Sequence, residues 1–257
     1  MTLPSLAHWE TTRESLQRAA LAMSTVAKKG RPQDDKFFHH LTLQPVSSDA
    51  LTTGETDYGV FTLNLANATL AYQAKDDVKT IPLDATQTQK SVTETLMKWV
   101  TANGHTPDVD LSGVMDEMPL SIDAKQAHNY GIVLHSIYQS LHKACATLSD
   151  GKTKLVVFPH HFDLSMMWFN GDIKTEHDPH VMFGFSPGDG SIDQPYLYTY
   201  GWDGEAYISL PAQAPLSQDD NWTSGLVIHY SDLQADPEST IQAAVTHIQG
   251  CTSDLWT

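Results

Sequence analysis

Residues 155–172 read LVVFPHHFDLSMMWFNGD, the longest strand-like run in the chain. A period of two divides it. Phe162, Leu164, Met166 and Trp168 fall on one face with His160, while His161, Asp163, Ser165, Met167 and Phe169 fall on the other. The first face is apolar beyond His160 and is expected to be core. The second begins polar, so it either lines a pocket or meets water. The run nominates a site around Asp163 but names no reaction.

Working outward, the same run is the first strand after a long helix, and this order occurs twice. In the first half, Leu6, Trp9, Leu16, Ala20, Met23 and Val26 recur at helical spacing, with Gly30 and Pro32 as a stop. Phe37 to Val46 alternates as a strand. Tyr58 to Leu65 and Thr69 to Gln73 form a hairpin around Ala66-Asn67, a short strand covers Thr80 to Leu83, and a helix runs from about Thr88 to Ala102. In the second half, Asp123 caps a helix to about Leu148. Strands follow near 153–169, 181–185, 196–202, 205–209 and 225–230, and Asp236-Pro237-Glu238 opens a last helix with proline where its missing N–H costs nothing. The fold class is α+β, with two similar α–β(3-4)–α halves, residues 1–112 and 113–257, carrying antiparallel sheets within one globular chain. A shared F-x-H-H-x-x-L pattern, Phe37 to Leu43 against Phe158 to Leu164, suggests an internal duplication.

Charge narrows the partners. The chain has a net charge of −16. Residues 1–100 hold 11 acids and 10 bases, residues 101–257 hold 20 acids and 5 bases, and no Lys or Arg follows Lys174. Nucleic-acid binding needs a basic footprint to displace counterions, and none is present. A polyanionic substrate would lack its usual arginine clamp. A neutral or cationic small molecule, or a metal ion, suits this field better, and an acidic surface that only confers solubility is the plainer reading. No apolar run reaches the roughly 18 residues of a membrane span. The first residues have neither the basic nor the apolar region of a signal peptide. With Cys145 and Cys251 at no metal-ligand spacing, reduced thiols and a cytoplasmic location are expected.

Three constellations compete to carry chemistry. His161-x-Asp163 on one strand would project two ligands together, roughly 6.5 Å apart at Cα, with His180 in the following segment as a third. Imidazole and carboxylate together suit a divalent transition metal. Without a metal, Asp163 would orient a histidine, His161 or His128, acting as general base. Tyr198, Tyr200 and Trp202 share one strand face with Tyr196 and read either as cross-strand packing or as an aromatic wall for a planar or cationic ligand. His128, His135 and His142 recur every seven residues and are about 10 Å apart along a helix, too far to share an ion. Gly184-Phe185-Ser186-Pro187-Gly188 matches the pattern of a nucleophile elbow, but Pro187 has no N–H for the oxyanion hole. It is expected to be a loop.

The segments LAHWETTRESLQRAALAM, LTTG at 51–54, FTLNLANATLAYQ at 61–73, FDLSMMWFNGD at 162–172 and GFSPGDGSIDQPYLYTYGW at 184–202 give the chain a resemblance to a bacterial family of uncharacterised proteins, domain of unknown function 5996. The resemblance covers nearly the whole chain in order. It implies a soluble single-chain protein and carries no activity with it. Where this chain has Pro159-His160-His161, the family pattern often has Trp-Gly-Ser, so the resemblance favours Asp163 and His128 over the paired histidines. Two functional readings stand at this stage: a protein that binds, and as an enzyme turns over, a small neutral or cationic molecule, and a non-catalytic interaction protein using its acidic second half.

Overall fold

The computed structural model describes residues 2–33, 36–169 and 171–252. It is α+β with antiparallel sheets of five and seven strands. The chain divides into two compact units. One comprises Leu6–Ile132 with Val157–Phe162, and is called the N-terminal unit below. The other comprises Met1–Ser5, Val133–Val156 and Asp163–Thr257, and is called the C-terminal unit. The division falls inside the long middle helix rather than near residue 113.

In the N-terminal unit, α1 (Glu10–Ala27) and α2 (Gln89–Ala102) accompany a meander of β1 (Gln44–Ser47), β2 (Ala50–Thr52), β3 (Val60–Asn64), β4 (Thr69–Ala74) and β5 (Asp77–Pro82), paired in sequence order. Alternation sets its inner face: Phe61 opposite Tyr72, and Leu63 opposite Leu70 opposite Ile81, are all buried. The β3–β4 loop is fixed by Asn64, whose side-chain oxygen accepts from the backbone N–H groups of Ala66 and Asn67. Thr88 caps α2 by accepting from the Ser91 N–H, while the Ser91 hydroxyl accepts from the Thr88 N–H.

The middle helix α3 (Ala124–Cys145) begins where the Gln126 N–H donates to the Asp123 carboxylate, as expected of a cap. Its Gly131 is where a tight approach needs the smallest residue. A Cβ there would stand 2.1 Å from the Ser48 carbonyl oxygen in the turn between β1 and β2.

The seven-stranded sheet runs β11 (Ser217–Asp219), β12 (Trp222–His229), β9 (Tyr196–Trp202), β8 (His180–Ser186), β7 (Asp163–Trp168) and β6 (Val156–Phe158), with β10 (Tyr207–Ile208) added to β9; all but the last two residues of β6 fall in the C-terminal unit. The short α4 (Tyr230–Leu233) follows β12, and α5 (Pro237–Cys251) is capped by Asp236 with Pro237 in its first turn. β8 has six of its seven residues buried and β7 five of six, so both faces of the sheet centre are covered.

Two strand expectations are corrected. The run 153–169 is not continuous. Pro159 lacks the N–H that a ladder needs, and the chain turns there, with the His161 and Phe162 N–H groups both donating to the Phe158 carbonyl. Phe162 is in the left-handed region at φ 58. His160 and His161 therefore sit in an exposed turn, and the strand begins only at Asp163. Likewise 37–43 is a turn and a 3-10 segment, with Phe38 left-handed at φ 56, and the strand starts at Gln44. The two F-x-H-H-x-x-L segments thus place their left-handed residue at different positions, the second and the fifth. What the halves share is their element order, helix, antiparallel meander, helix.

Alanine is ordinarily better than glycine in a helix interior by about 1 kcal/mol. Gly131→Ala is expected to reverse that sign and destabilise by about 1–3 kcal/mol, read as a lower urea midpoint at unchanged slope. A gain in stability would show that Ser48 does not press on the helix.

Candidate functional site

The second face of the β7–β8–β9 layer is built from register. Ser165 on β7, Gly184 on β8 and Tyr198 on β9 lie in one cross-strand row. Gly184 has no side chain to fill its place. The Tyr198 ring lies across it, and a Cβ on residue 184 would be 2.1 Å from Tyr198 Cζ. Laid over the glycine, Tyr198 donates its hydroxyl to Asp163 Oδ2 at the start of β7 in a short hydrogen bond. Burial, then the neighbouring Asp163 charge, then this bond hold the Tyr198 phenol far above its ordinary range, so it stays a donor. Asp163 itself is 9% exposed. The carboxylate is thus nearly covered, with the Tyr198 phenol against Oδ2.

Neighbouring rows extend the face. Tyr196 donates to Asp189 Oδ2 at 2.7 Å, a second phenol–carboxylate pair. Burial chiefly, and the Asp189 bond next, raise the Tyr196 phenol. Trp222 on β12 touches Tyr198 at 5.4 Å between ring centroids, and Tyr196 and Tyr200 at 6.4 Å each. Tyr207 meets Tyr200 at 5.1 Å and Trp202 at 5.4 Å, both edge to face. The result is a connected aromatic surface in which Tyr198, Tyr200, Trp202 and Trp222 are partly exposed and Tyr207 is 54% exposed. The cross-strand packing that the sequence set as one alternative is present, with Tyr198 and Trp222 packed on the buried Ile192, Tyr196 and Val227.

The remaining candidates are distributed differently. His161 and His128 belong to the N-terminal unit and are exposed, and His128 Nε2 lies 3.6 Å from Asp49 Oδ1. Asp163, Tyr198, Tyr200, Trp202 and His180 belong to the C-terminal unit. His161 does not project beside Asp163 by strand alternation, because it precedes the strand. His180 is 3% exposed, and its Nδ1 donates to the Asp178 carbonyl at 2.8 Å. That bond leaves the lone pair on Nε2, which is buried and without a hydrogen-bond partner. The His180 ring lies against Phe169 and Tyr200. Among the described residues no three His, Cys, Asp or Glu side chains come together to hold a metal ion. The His161-x-Asp163 metal expectation therefore has no converging ligand set behind it.

Ser186 ends β8 and is followed by a loop, with its hydroxyl accepting from the Gly188 N–H, so the elbow pattern has no helix after it. Both cysteines are free, and burial pushes the Cys145 thiol up to about 12, which leaves it protonated and unreactive at neutral pH. No helix among the described residues is long and apolar enough to cross a membrane. Sequence reasoning missed the parts played by Gly184 and Trp222. For Gly184 a signal existed, since a glycine inside a strand pattern marks a close approach.

Comparison of the chain with family models, with curated proteins and with solved structures finds no match.

Tyr198→Phe keeps the ring over Gly184 and removes the donor. It is expected to cost about 1.5–3 kcal/mol, the range for a hydrogen bond to a charged group, in equilibrium denaturation. A change below about 0.5 kcal/mol, the size of a neutral surface substitution, would mean that the bond does not hold the face together.

Burial holds His180 below its ordinary value of 6.5, with the Asp178 carbonyl and nearby acids opposing. As pH falls, the unfolded chain takes up this proton first. The contribution is full above 6.5 and is lost as pH falls towards the lowered folded value. Melting His180→Phe beside the wild type from about pH 7.5 to 5 should show the wild type losing more stability at the acid end. Parallel curves would rule this out.

Proposed function

We propose that the C-terminal unit binds a small cationic or neutral molecule on the aromatic face formed by Tyr198, Tyr200, Trp202 and Trp222, with Asp163 beneath it as the fixed negative charge. The observation that carries this reading is the Tyr198–Asp163 pair laid across Gly184. A phenol donating to a carboxylate gains electron density in its ring, and a richer ring attracts a cation more strongly. The unit's charge supports the same choice. It holds 15 acids and 4 bases, so an anionic ligand would be repelled over the whole approach.

In this reading the ligand stacks on rings rather than being gripped by histidines. Its specificity comes from planarity or positive charge, and Asp163 sets the sign of the field while holding Tyr198 in position. Binding is the reading the geometry supports. A general base would need a histidine within hydrogen-bond reach of the ligand, and His180, the histidine of this face among the described residues, has its lone-pair nitrogen Nε2 buried, with the ring against Phe169 and Tyr200.

Titration of the whole protein with choline, followed by tryptophan fluorescence, tests it against 3,3-dimethylbutan-1-ol, the uncharged isostere. Saturable quenching with a preference for the cation is expected, and Trp222→Ala should weaken it by the roughly 0.5–2 kcal/mol of one cation–π contact. A response that is linear, or unchanged in Trp222→Ala, would overturn the proposal.

A further inference from the structure

The chain has three arginines, all in the N-terminal unit, and two of them make several side-chain hydrogen bonds. Arg18 donates to the Asp116 carboxylate, the carbonyls of Met118 and Pro119, and the Ser15 hydroxyl. Arg31 donates to the carbonyls of His39, His40 and Thr42. These two tie loops to helices. Arg13 is different. It is 8% exposed, its Nη1 is buried with no hydrogen-bond partner, and Glu14, 3.8 Å from Nη2, is itself mostly in solvent.

Arg13 lies one helical turn along α1 from Trp9, whose N–H is in the same condition. Trp9 is 0% exposed and its Nε1 is buried without a partner. Residues four apart on a helix stand on the same face, and the Arg13 N–H donates to the Trp9 carbonyl. Two strong donors thus stand orphaned on one stripe. A third unsatisfied atom belongs to the same end of the unit. Gln126 on α3 donates its amide N–H to the Ala7 carbonyl, next to Trp9, while its Oε1 is buried with no partner. Tyr130, one turn further along α3 on the same face as Gln126, stacks on Trp9 at 4.6 Å. Gln17, the next residue of the α1 stripe, donates to the His160 carbonyl, and Tyr130 donates to the Phe162 carbonyl. The stripe is therefore faced by the 159–162 turn, which holds the bulky Phe162 in the left-handed region, a conformation that side chains of its size rarely adopt.

Buried polar groups are almost always paired, and a buried charged donor left unpaired is among the costliest exceptions. Two donors and one acceptor collected around the start of α1 define the chemistry that would satisfy them. A group that satisfied all three would accept from an indole and a guanidinium and donate one hydrogen to an amide oxygen. The positive end of the α1 dipole adds to the attraction for negative charge. We infer that Trp9, Arg13 and Gln126 form a binding site in the N-terminal unit for a small oxyanion that carries a hydroxyl, of the hydrogenphosphate class. The site is separate from the aromatic face and opposite to it in charge preference. It also gives the histidine-bearing turn a place in the fold, as the segment packed over this stripe.

The experiment is a titration of the intact protein with phosphate, sulfate and acetate near pH 7, with sodium chloride holding ionic strength constant, read by thermal shift and tryptophan fluorescence. Phosphate should stabilise saturably and more tightly than sulfate, which at that pH has no proton to give Gln126. Arg13→Met should weaken phosphate by at least about tenfold, as for loss of a hydrogen bond to a charged group. Trp9→Phe and Gln126→Leu should weaken it by roughly two- to tenfold, as for a neutral one, with Gln126→Leu also losing the preference over sulfate. Should Arg13→Met fail to fold, Arg13→Lys and Trp9→Phe decide. The inference is overturned by no saturable response in the wild type, by variants that respond as the wild type does, by sulfate matching phosphate, or by a high-resolution crystal structure at saturating phosphate that shows water alone bridging the three atoms.

Discussion

A tyrosine laid flat across a glycine to reach a carboxylate two strands away is the interaction on which the C-terminal unit depends. It joins β9 to β7 over the top of β8, so three strands are tied by side chains as well as by their ladders. It requires a glycine at one position, a phenol at the second and an acceptor at the third. Any bulkier residue at 184 displaces the ring. The arrangement also explains how a strand with an acid at its start can be buried on both faces. Asp163 is buried with the Tyr198 phenol as a donor, and Tyr196 bonds the half-buried Asp189 in the same way.

The two units use polar burial in opposite senses. The C-terminal unit collects acids and pairs them with phenols, which stay protonated because burial and the neighbouring carboxylates raise them. The N-terminal unit has 16 acids and 11 bases, nearer to balance, and buries one guanidinium, Arg13, one helical turn from the buried Trp9.

The strained positions are placed with the same economy. Phe162 takes the left-handed conformation immediately before β7, and Phe38 immediately before the 3-10 segment that precedes β1, each next to paired histidines. A common element order with unlike turn geometry shows what constrains each feature. Hydrophobic periodicity fixes the order of helices and strands, while each turn is shaped by what packs on it: Arg31 on the carbonyls of 39, 40 and 42, and Gln17 and Tyr130 on those of 160 and 162.

The sequence alone determined the elements whose signals are local. The capped helices at Thr88, Asp123 and Asp236, the β3–β4 hairpin and the alternating strands near 181–185 and 196–202 follow from period, caps and turn residues, which act over a few positions. It also marked Asp163, Tyr198, Tyr200 and Trp202, because an acid inside an apolar run and aromatics at every second residue are visible without coordinates. The Pro159 break was legible too, though the alternation around it read as one strand. Only the tertiary structure decided that Tyr198 spans Gly184 to Asp163, that Trp222 completes the face, and that Trp9, Arg13 and Gln126 collect at one end of α1. Those facts depend on which strands and helices become neighbours across long separations in sequence. Register and packing carry that information, and no single stretch of residues encodes it.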